Sequence, residues 1–368
     1  MKTRSHGGNI YEISKKCGLN YKEILDFSAN INPLGFPNSV REIIKRKIDD
    51  IIYYPDSGQK EIKEAAAFYY GVKEENVLPG NGSVELINLI IEALRPTKVI
   101  IPSPTFTEYA LASQSRRIRV ELLDMTKNDF NWDDALIEAI KKRICPGALV
   151  VICNPNNPTG HLIKKDIIKV LIAETEKKKA FLLLDEAFMD FVGEDESSCT
   201  EVVHRSNFIV LRSLTKFFAL PGLRIGFALT NKELINEIEK LKDPWNVNTF
   251  AAAVGKAVLK DRAYIEKTRE YIFREKEFLW NGLKQFYCFQ PFRPAANFIF
   301  VKITAEFKTS FLAGELLKRG IVIRECTDFA FLDDTYFRVA VKNRRANETL
   351  LETLREITAS NLLGEEGR

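Results

Sequence analysis

Five short runs of entirely apolar residues, separated by longer amphipathic stretches, constrain the fold of this chain more than any other feature. The runs are 99–101, 149–152, 180–184, 208–211 and 225–229. Strands that are buried on both faces of a sheet have this composition. The stretches between them, such as Ile163 to Lys178 and Lys232 to Lys242, have the spacing of amphipathic helices. We therefore expect an α/β fold with a mostly parallel sheet covered by helices.

Residues with useful chemistry follow four of these runs. Phe106 comes shortly after the first, Asn157 lies in the loop after the second, and Asp185 and Lys216 follow the third and fourth. Parallel sheets bind ligands at the carboxyl ends of their strands, which share one edge. The order of these residues predicts a single site at that edge.

Lys216 has the surroundings that a Schiff-base lysine needs. Such an amine must be held against a carbonyl, with its pKa lowered by partial desolvation and by a cationic neighbour. Ser213 precedes the lysine and Arg224 follows it, and the two could hold an anion such as a phosphate beside it. Taken alone, the segment also fits a surface lysine in a loop after a strand.

Two further positions suggest contacts with a charged cofactor. A carboxylate at a strand end, such as Asp185, can keep a ring nitrogen protonated, although a helix N-cap is the alternative. Gly82 and Ser83 lead into a helix pattern at 86–94, where backbone N–H groups and the helix dipole favour an anion. Glycine before a helix is common, so this signal is weak by itself.

Composition excludes several classes of protein. The net charge of +4 is small for 368 residues and does not indicate a nucleic-acid or membrane partner. The six cysteines are scattered without a Cys-x-x-Cys pair, and the three histidines lack metal-ligand spacing. The start of the chain has no apolar run typical of a signal peptide. We expect a cytoplasmic protein with reduced thiols and no metal site.

Four segments, taken in chain order, resemble the motifs of fold-type I pyridoxal phosphate (PLP) enzymes. They are Gly80 to Glu85, Asn154 to Gly160, Asp185 to Phe188, and Ser213 to Gly226. The similarity runs along nearly the whole chain and is greatest to the histidinol-phosphate aminotransferases and the related threonine-phosphate decarboxylases. It implies PLP as cofactor, a homodimer, and an aspartate-aminotransferase-like fold. That fold has a large domain with a mostly parallel seven-stranded sheet, plus a smaller α+β domain.

The resemblance also assigns a role to individual residues. Lys216 and Asp185 are the expected catalytic residues, as cofactor lysine and partner of the ring nitrogen. Asn157 is expected to contact both the 3′-oxygen of PLP and the substrate. The expected cofactor-binding residues are Gly82, Ser83, Phe106, Asn157, Asp185, Ser213, Lys216, Arg224 and, reaching into the neighbouring subunit, Tyr54.

The expected domain boundaries follow from a long helix pattern that starts at Asp261 and has no Gly or Pro until Gly282. Residues 41–260 are predicted to form the PLP-binding domain. Residues 261–368 are predicted to form a linking helix and a small α+β domain. By resemblance, residues 1–40 are a segment that folds with or beside the small domain.

The expected substrate contacts come from both ends of the chain. His6, Gly7 and Asn30 lie in stretches that resemble the decarboxylases. Arg324 and Arg338 have apolar neighbours and need anionic partners if buried, so they suit a substrate with a carboxylate and a phosphate. The sequence does not say which arginine takes which group.

The resemblance implies decarboxylation of O-phospho-L-threonine in cobalamin biosynthesis. The first alternative is a histidinol-phosphate aminotransferase, which shares most of the motifs. Phe188 argues against this alternative, because histidinol-phosphate aminotransferases usually have at this position a tyrosine that contacts PLP. The second alternative, a non-catalytic PLP-binding regulator, is disfavoured by the presence of Lys216.

Overall fold

The structure is a computed structural model that describes residues 7–365, with side chains described as far as residue 359. Its strands are β1 (Leu25–Asp26), β2 (Val77–Gly80), β3 (Val99–Ser103), β4 (Val120–Asp124), β5 (Leu149–Cys153), β6 (Phe181–Asp185), β7 (Phe208–Ser213), β8 (Gly226–Leu229), β9 (Phe289–Pro291), β10 (Phe298–Ile303), β11 (Ile321–Val322), β12 (Arg324–Glu325) and β13 (Tyr336–Ala340). Its helices are α1 (Ile10–Cys17), α2 (Asn38–Lys47), α3 (Lys60–Tyr70), α4 (Ser83–Leu94), α5 (Glu108–Ser115), α6 (Asp134–Arg143), α7 (Lys165–Lys177), α8 (Leu214–Phe217), α9 (Lys232–Glu239), α10 (Thr249–Val258), α11 (Arg262–Leu283), α12 (Thr309–Leu317) and α13 (Arg344–Glu365).

The large sheet has seven strands in the order β2-β8-β7-β6-β5-β3-β4. Only β8 runs antiparallel to its neighbours, so the predicted mostly parallel seven-stranded sheet is confirmed. All five apolar runs form strands of this sheet. Asp185 and Ser213 are the last residues of β6 and β7, so these strands extend one and two residues beyond the apolar runs 180–184 and 208–211.

The central strands are apolar throughout because both faces of the sheet are covered. Along β5, Val150 and Ile152 face one hydrophobic core, while Leu149 and Val151 face the other. Helices α4 and α5 pack on the second face, and α7 and α11 on the first. Each fully buried aliphatic side chain of this kind contributes about 1.5–3 kcal/mol relative to an exposed one. The sheet is therefore a rigid base for the residues at its carboxyl edge.

The remaining strands form two smaller sheets. Strands β12, β13, β10 and β9 are antiparallel, and β1 pairs in parallel with β11. The apolar run 321–323 continues directly into Arg324 in the sequence, but the chain changes sheets at Ile323. Ile321 and Val322 pair with the N-terminal segment, whereas Arg324 pairs with Arg338. This change of partner brings both candidate substrate arginines onto adjacent strands.

The N-terminal segment contacts both predicted domains. The backbone N–H of Phe27 donates to the carbonyl of Val322, and the backbone N–H of Asn32 donates to the carbonyl of Lys216. Helix α2 begins at Asn38, before the predicted boundary at residue 41, and packs on α10. The division into domains stays a prediction. Within residues 7–365, no helix is long and apolar enough to cross a membrane, and no cluster of acidic, histidine and cysteine side chains could hold a metal ion.

Candidate active site

A cavity of about 490 Å³ lies where the carboxyl edge of the large sheet meets the N-terminal segment and the small antiparallel sheet. Eight of the predicted site residues line it: Gly7, Asn30, Phe106, Asn157, Lys216, Arg224, Arg324 and Arg338. These residues come from distant parts of the chain, and the fold brings them together. The structure therefore places most of the predicted site in one cavity.

Lys216 lies on α8, a single helical turn that directly follows β7. The hydroxyl of Ser213 accepts a hydrogen bond of 3.4 Å from the backbone N–H of Thr215 and caps the start of this turn. Burial, together with the charges of Arg224 and Arg338, lowers the pKa of the lysine amine to about 8, against the raising effect of Asp185. At neutral to mildly basic pH the amine can therefore lose its proton, as a nucleophilic lysine must.

Asp185 is buried at the end of β6, and both of its carboxylate oxygens have partners. Tyr109 donates to one oxygen at 2.6 Å, and the backbone N–H of Ala187 donates to the other at 2.9 Å. Burial raises the pKa of this carboxyl, against the smaller lowering effects of Tyr109, Ala187 and Lys216. The hydrogen bonds and the lysine favour the ionised form, which is the form that can hold a proton on a ring nitrogen.

The start of α4 forms a cradle that fits a phosphate. Gly82 has a φ of +78°, and a Cβ at this position would collide with the guanidinium of Arg224. On β8, a Cβ on Gly226 would lie 3.0 Å from the backbone nitrogen of Ser83. Ser213 pairs with Gly226 across the two strands. The predicted phosphate contacts Gly82, Ser83, Ser213 and Arg224 are thus adjacent, and a side chain on either glycine would close the space beside the N–H groups.

Arg224 has a left-handed backbone, with a φ of 60°. This conformation costs a non-glycine residue about 1–2 kcal/mol and persists only where the surroundings impose it. Here it turns the guanidinium towards Gly82. Together with a lysine of lowered pKa and a buried carboxylate, the cradle fits PLP: Lys216 would hold its carbonyl carbon, Asp185 its ring nitrogen, and the start of α4 its phosphate.

Three residues complete the side of the cavity that would face the cofactor: Asn157, Phe106 and Phe188. The side-chain oxygen of Asn157 accepts a hydrogen bond from Arg338, which orients the amide so that its NH₂ group is left for another partner. The ring of Phe106 lies edge-on to Tyr109, with 5.5 Å between ring centroids. Phe188 is buried, lines the cavity, and packs edge-on against Phe298 at 5.0 Å. The cavity wall at this position is therefore apolar.

The two arginines are buried but have different partners. Arg338, which is 5% exposed, donates to the carbonyl of Ser28 at 2.8 Å and to Asn157. Burial lowers its pKa to about 10, so it remains a cation at neutral pH. Arg324, which is 7% exposed, makes two hydrogen bonds of 2.8 and 2.6 Å to Asp328. Its charge is thus partly balanced, whereas Arg338 has only uncharged hydrogen-bond partners among the residues that the structure describes.

The N-terminal segment forms one wall of the cavity. The backbone N–H of Gly8 donates to the hydroxyl of Ser28 at 2.9 Å, and Gly7 lies so close to Ser28 that a Cβ would strike its carbonyl. The side-chain oxygen of Asn30 is buried and has no hydrogen-bond partner among the described residues. An acceptor left in this state suits a ligand that donates a hydrogen bond. His6, the other predicted contact here, lies outside the described residues.

Tyr54 does not line the cavity of its own chain. It is 77% exposed and stacks on Trp245, with 4.4 Å between ring centroids. The family resemblance assigns it to the site of a neighbouring subunit, and that assignment stays a prediction.

Sequence reasoning missed three residues that hold the predicted ones. Tyr109 orients Asp185, Asp328 orients Arg324, and Ser28 contacts both Gly8 and Arg338. Asp328 follows Arg324 by four positions, a spacing that could have suggested an ion pair. Nothing local in the sequence links Tyr109 to Asp185, which lies 76 positions away.

Comparison with known proteins agrees with this geometry. The family model for aminotransferase class I and II matches residues 22–354. A Caldanaerobacter subterraneus protein provisionally named threonine-phosphate decarboxylase is 37% identical, covering 100% of this chain and 98% of the relative. The threonine-phosphate decarboxylase of Salmonella typhimurium is 32% identical, covering 96% of each chain.

A solved structure shows the same fold. The histidinol-phosphate aminotransferase of Clostridium acetobutylicum superimposes with a TM-score of 0.85 and 32% identity, covering 92% of this chain and 100% of the other. The predicted aspartate-aminotransferase-like fold is confirmed. The chain therefore belongs to the aminotransferase class I and II family, and it is an enzyme whose cofactor is pyridoxal phosphate.

Proposed function

We propose that this enzyme decarboxylates O-phospho-L-threonine, giving CO₂ and (R)-1-amino-2-propanol O-2-phosphate, in cobalamin biosynthesis. Two relatives at 37% and 32% identity carry the name of this activity. The observation that carries the proposal is the presence of two buried arginines in one cavity with Lys216. Two fixed cations suit a substrate that bears both a carboxylate and a phosphate.

The positions of the arginines suggest which anion each one takes. Arg338 contacts Asn157 and is close enough to Lys216 to lower the pKa of its amine. It is the cation suited to the α-carboxylate, which must lie near the reacting carbon. Arg324 has Asp328 and the ring of Phe329 as neighbours and lines the cavity beside Gly7 and Ser28. We assign the phosphate to Arg324 and this N-terminal wall.

The reaction breaks one of the bonds to the α-carbon and needs an acceptor for its electrons. When bound, PLP supplies this acceptor as a conjugated ring, and only a bond perpendicular to the ring can feed electrons into it. The residues that hold the substrate therefore choose the bond. If Arg338 and Arg324 fix the two anionic ends, the carboxylate bond is held in one orientation, and a small rotation would expose the C–H bond instead.

Lys216 can supply the proton that replaces CO₂ on the α-carbon. With a pKa of about 8 it is present in both protonation states near neutral pH, so it can give up a proton and regain one from water. Asp185 has a different role. Its part is to hold a proton at the ring nitrogen, helped by Tyr109.

The second candidate is a histidinol-phosphate aminotransferase, favoured by the 0.85 TM-score to an enzyme of that name. It would use the same arginines for its phosphorylated amine and for the carboxylates of 2-oxoglutarate or glutamate. Phe188 distinguishes the two, because its apolar wall lacks the hydroxyl that the aminotransferase branch usually places there. The stretch from Gly7 to Ile10 resembles the decarboxylases as well. The remaining alternative, a non-catalytic PLP-binding regulator, is disfavoured by the intact lysine, carboxylate and phosphate cradle.

The deciding measurement is CO₂ release from PLP-loaded protein given O-phospho-L-threonine without a keto acid. We expect catalytic CO₂ and one equivalent of the amine phosphate. No CO₂, together with turnover of histidinol phosphate once 2-oxoglutarate is added, would replace the proposal with the aminotransferase. Lys216→Ala serves as the control, because release that persists in this variant does not come from the proposed site.

We also propose that the enzyme acts as a cytoplasmic homodimer. Five large apolar residues are exposed within one short segment: Ile48, Ile51, Ile52, Tyr53 and Tyr54. Contiguous exposed apolar surface of this kind supports association with a second copy. The six cysteines are free thiols, which suits a reducing compartment. Sedimentation equilibrium of the purified protein tests the dimer directly.

A further inference from the structure

The turn that carries Lys216 is short, and its end depends on outside partners. Helix α8 has only four residues, so the carbonyls of Lys216 and Phe217 lie at its C-terminal end, where carbonyls lack full helical partners. The backbone N–H of Asn32 donates to the carbonyl of Lys216 at 3.0 Å. The side-chain NH₂ of the same residue donates to the carbonyl of Phe217 at 2.7 Å. One residue from the N-terminal segment thus holds both carbonyls.

Asn32 is itself fixed by its surroundings. It is 2% exposed, and its side-chain oxygen accepts from the backbone N–H of Leu34 at 3.0 Å. Its NH₂ group also lies 2.9 Å from the hydroxyl of Tyr264 and 3.1 Å from that of Thr268, both on α11. Three oxygen atoms therefore face one NH₂ group, an arrangement that selects an amide over a carboxylate.

The same contacts join three distant parts of the chain. Tyr264 donates to the carbonyl of Gly35 at 2.5 Å, so its oxygen is oriented to accept from Asn32. The N-terminal segment, the lysine turn and the long helix α11 meet at this amide. A rigid connection of this kind fixes the backbone from which the Lys216 side chain extends.

We infer that Asn32 is a positioning residue for Lys216, which fixes the lysine turn through its carbonyls and so holds the amine between Asp185, Arg224 and Arg338. The inference rests on the proposed role of Lys216 as the cofactor lysine, and it does not depend on which substrate is used. Asn32 lies two residues after Asn30, which is a predicted substrate contact.

The surroundings of the amine make this role measurable. Burial and the charges of Arg224 and Arg338 lower its pKa to about 8, against the raising effect of Asp185. If the turn loosens, the amine gains water and moves relative to these charges. Its pKa then rises towards the ordinary lysine value. A structural role confined to overall stability would leave this pKa unchanged in the folded protein.

The test compares full-length Asn32→Ala with Thr268→Val, each freed of PLP. Thr268→Val removes one acceptor of the same NH₂ group but keeps both contacts with the lysine turn, so it is a matched control. Each protein is reductively methylated with formaldehyde and cyanoborohydride over a range of pH, and the rate at Lys216 is read by mass spectrometry. The midpoint of the pH dependence, unlike the rate itself, is insensitive to changes in access.

We expect a midpoint near pH 8 in the wild type and in Thr268→Val, and one about 1 pH unit higher in Asn32→Ala. An unchanged midpoint in Asn32→Ala, or an equal change in both variants, overturns the inference. If Asn32→Ala does not fold, Asn32→Leu replaces it, because it keeps the approximate size and removes the donor without adding a charge near the amine. The same upward movement is expected, and its absence counts against the inference.

A separate measurement distinguishes failure of the inference from failure of the proposed function. Borohydride reduction of PLP-loaded wild-type protein should fix the cofactor on Lys216. Cofactor on a different lysine would remove the proposed role of Lys216, and with it the basis of the inference. Cofactor on Lys216, with no movement of the midpoint in the Asn32 variants, would overturn only the role of Asn32.

Discussion

The hydroxyl of Tyr109 lies 2.6 Å from a carboxylate oxygen of Asp185, and both side chains are buried. Tyr109 comes from the first turn of α5 and Asp185 from the end of β6. Burial alone favours the protonated acid, so a donor beside the carboxylate helps to keep it ionised. The pair shows that the electrostatic state of the site depends on residues behind the cavity as well as on those that line it.

Tyr109→Phe is expected to weaken PLP binding about tenfold. A hydrogen bond to a charged group contributes about 1.5–3 kcal/mol, and its loss raises the pKa of Asp185 further, so the carboxylate holds the ring nitrogen less well. The dissociation constant is measured from the absorbance of bound cofactor. Tyr70→Phe is the matched control, because the Tyr70 hydroxyl is buried with no hydrogen-bond partner in the described part of the chain. Equal affinity in wild type and Tyr109→Phe would contradict the role of the pair.

Arg338→Ala is expected to raise KM for O-phospho-L-threonine by about 100-fold while changing PLP affinity little. The variant removes a desolvated cation from the proposed carboxylate site, a change that costs about 2–5 kcal/mol. Steady-state CO₂ release and cofactor titration give the two values. Arg293→Ala serves as the control, since that residue stacks on Trp280 and pairs with Glu277. A larger loss of PLP affinity than of substrate affinity would remove Arg338 from the substrate site.

Arg324→Ala is expected to reduce discrimination between O-phospho-L-threonine and L-threonine. If Arg324 holds the phosphate, its loss lowers kcat/KM for the phosphorylated substrate by about 100-fold and leaves the already poor reaction of threonine nearly unchanged. The ratio of the two kcat/KM values is the measured quantity. A ratio that stays at the wild-type value would show that the phosphate binds elsewhere in the cavity.

A mixture of two inactive variants is expected to regain activity if Tyr54 acts across a dimer. Lys216→Ala and Tyr54→Ala each damage every site in their own homodimer. In a mixed dimer, one site has both wild-type residues and the other has neither. After dissociation and random reassociation, activity should reach about one quarter of the wild-type value. Additive activity of the two variants after reassociation would place Tyr54 outside the partner's site.

The stability of the PLP-free protein should depend on pH through Lys216. Its pKa is about 8 in the folded state and near the ordinary lysine value when unfolded. Between these values the unfolded chain holds a proton that the folded protein has lost, so the free energy of unfolding rises with pH, by at most about 3 kcal/mol. Below pH 8 both states are protonated, and the penalty for the buried charge is fully present.

Urea unfolding of wild type and Lys216→Met tests this dependence. The variant lacks the buried amine, so it should be more stable than wild type at about pH 7, and the difference should shrink by about pH 10. Other groups titrate in the same range, and taking the difference between the two proteins removes their contribution. A difference that is independent of pH would show that the pKa of Lys216 is not lowered.

The large sheet could be predicted because its strands are apolar over their whole length, as burial on both faces requires. The positions of Asp185 and Lys216 followed from the same pattern, because parallel strands place their carboxyl ends at one edge. The small sheets were harder to predict from the sequence than the large sheet. Strands β1, β11 and β12 have two residues each, which is too few to show the alternation of apolar and polar residues that is typical of a strand. No residue pattern near Ile323 indicates that the chain changes sheets there.

The supporting contacts of the site were also beyond prediction. Asn32 and Phe217 are separated by 185 positions, and Tyr109 and Asp185 by 76. Such pairs are made by packing between elements, which a single sequence does not specify. Residues that meet the cofactor or the substrate belong to motifs of recognisable composition, whereas the residues that hold them in place are ordinary Asn, Tyr and Asp side chains.

The pairing of β1 with β11 has a consequence for how the enzyme is made. Leu25 leaves the ribosome early, yet its partner Ile321 is synthesised near the end of the chain. At about 5–20 residues per second, the N-terminal strand waits roughly 15–60 s with an open edge. During that time the nascent chain has no complete substrate wall. A newly made enzyme can therefore begin to discriminate among substrates only after translation is nearly finished.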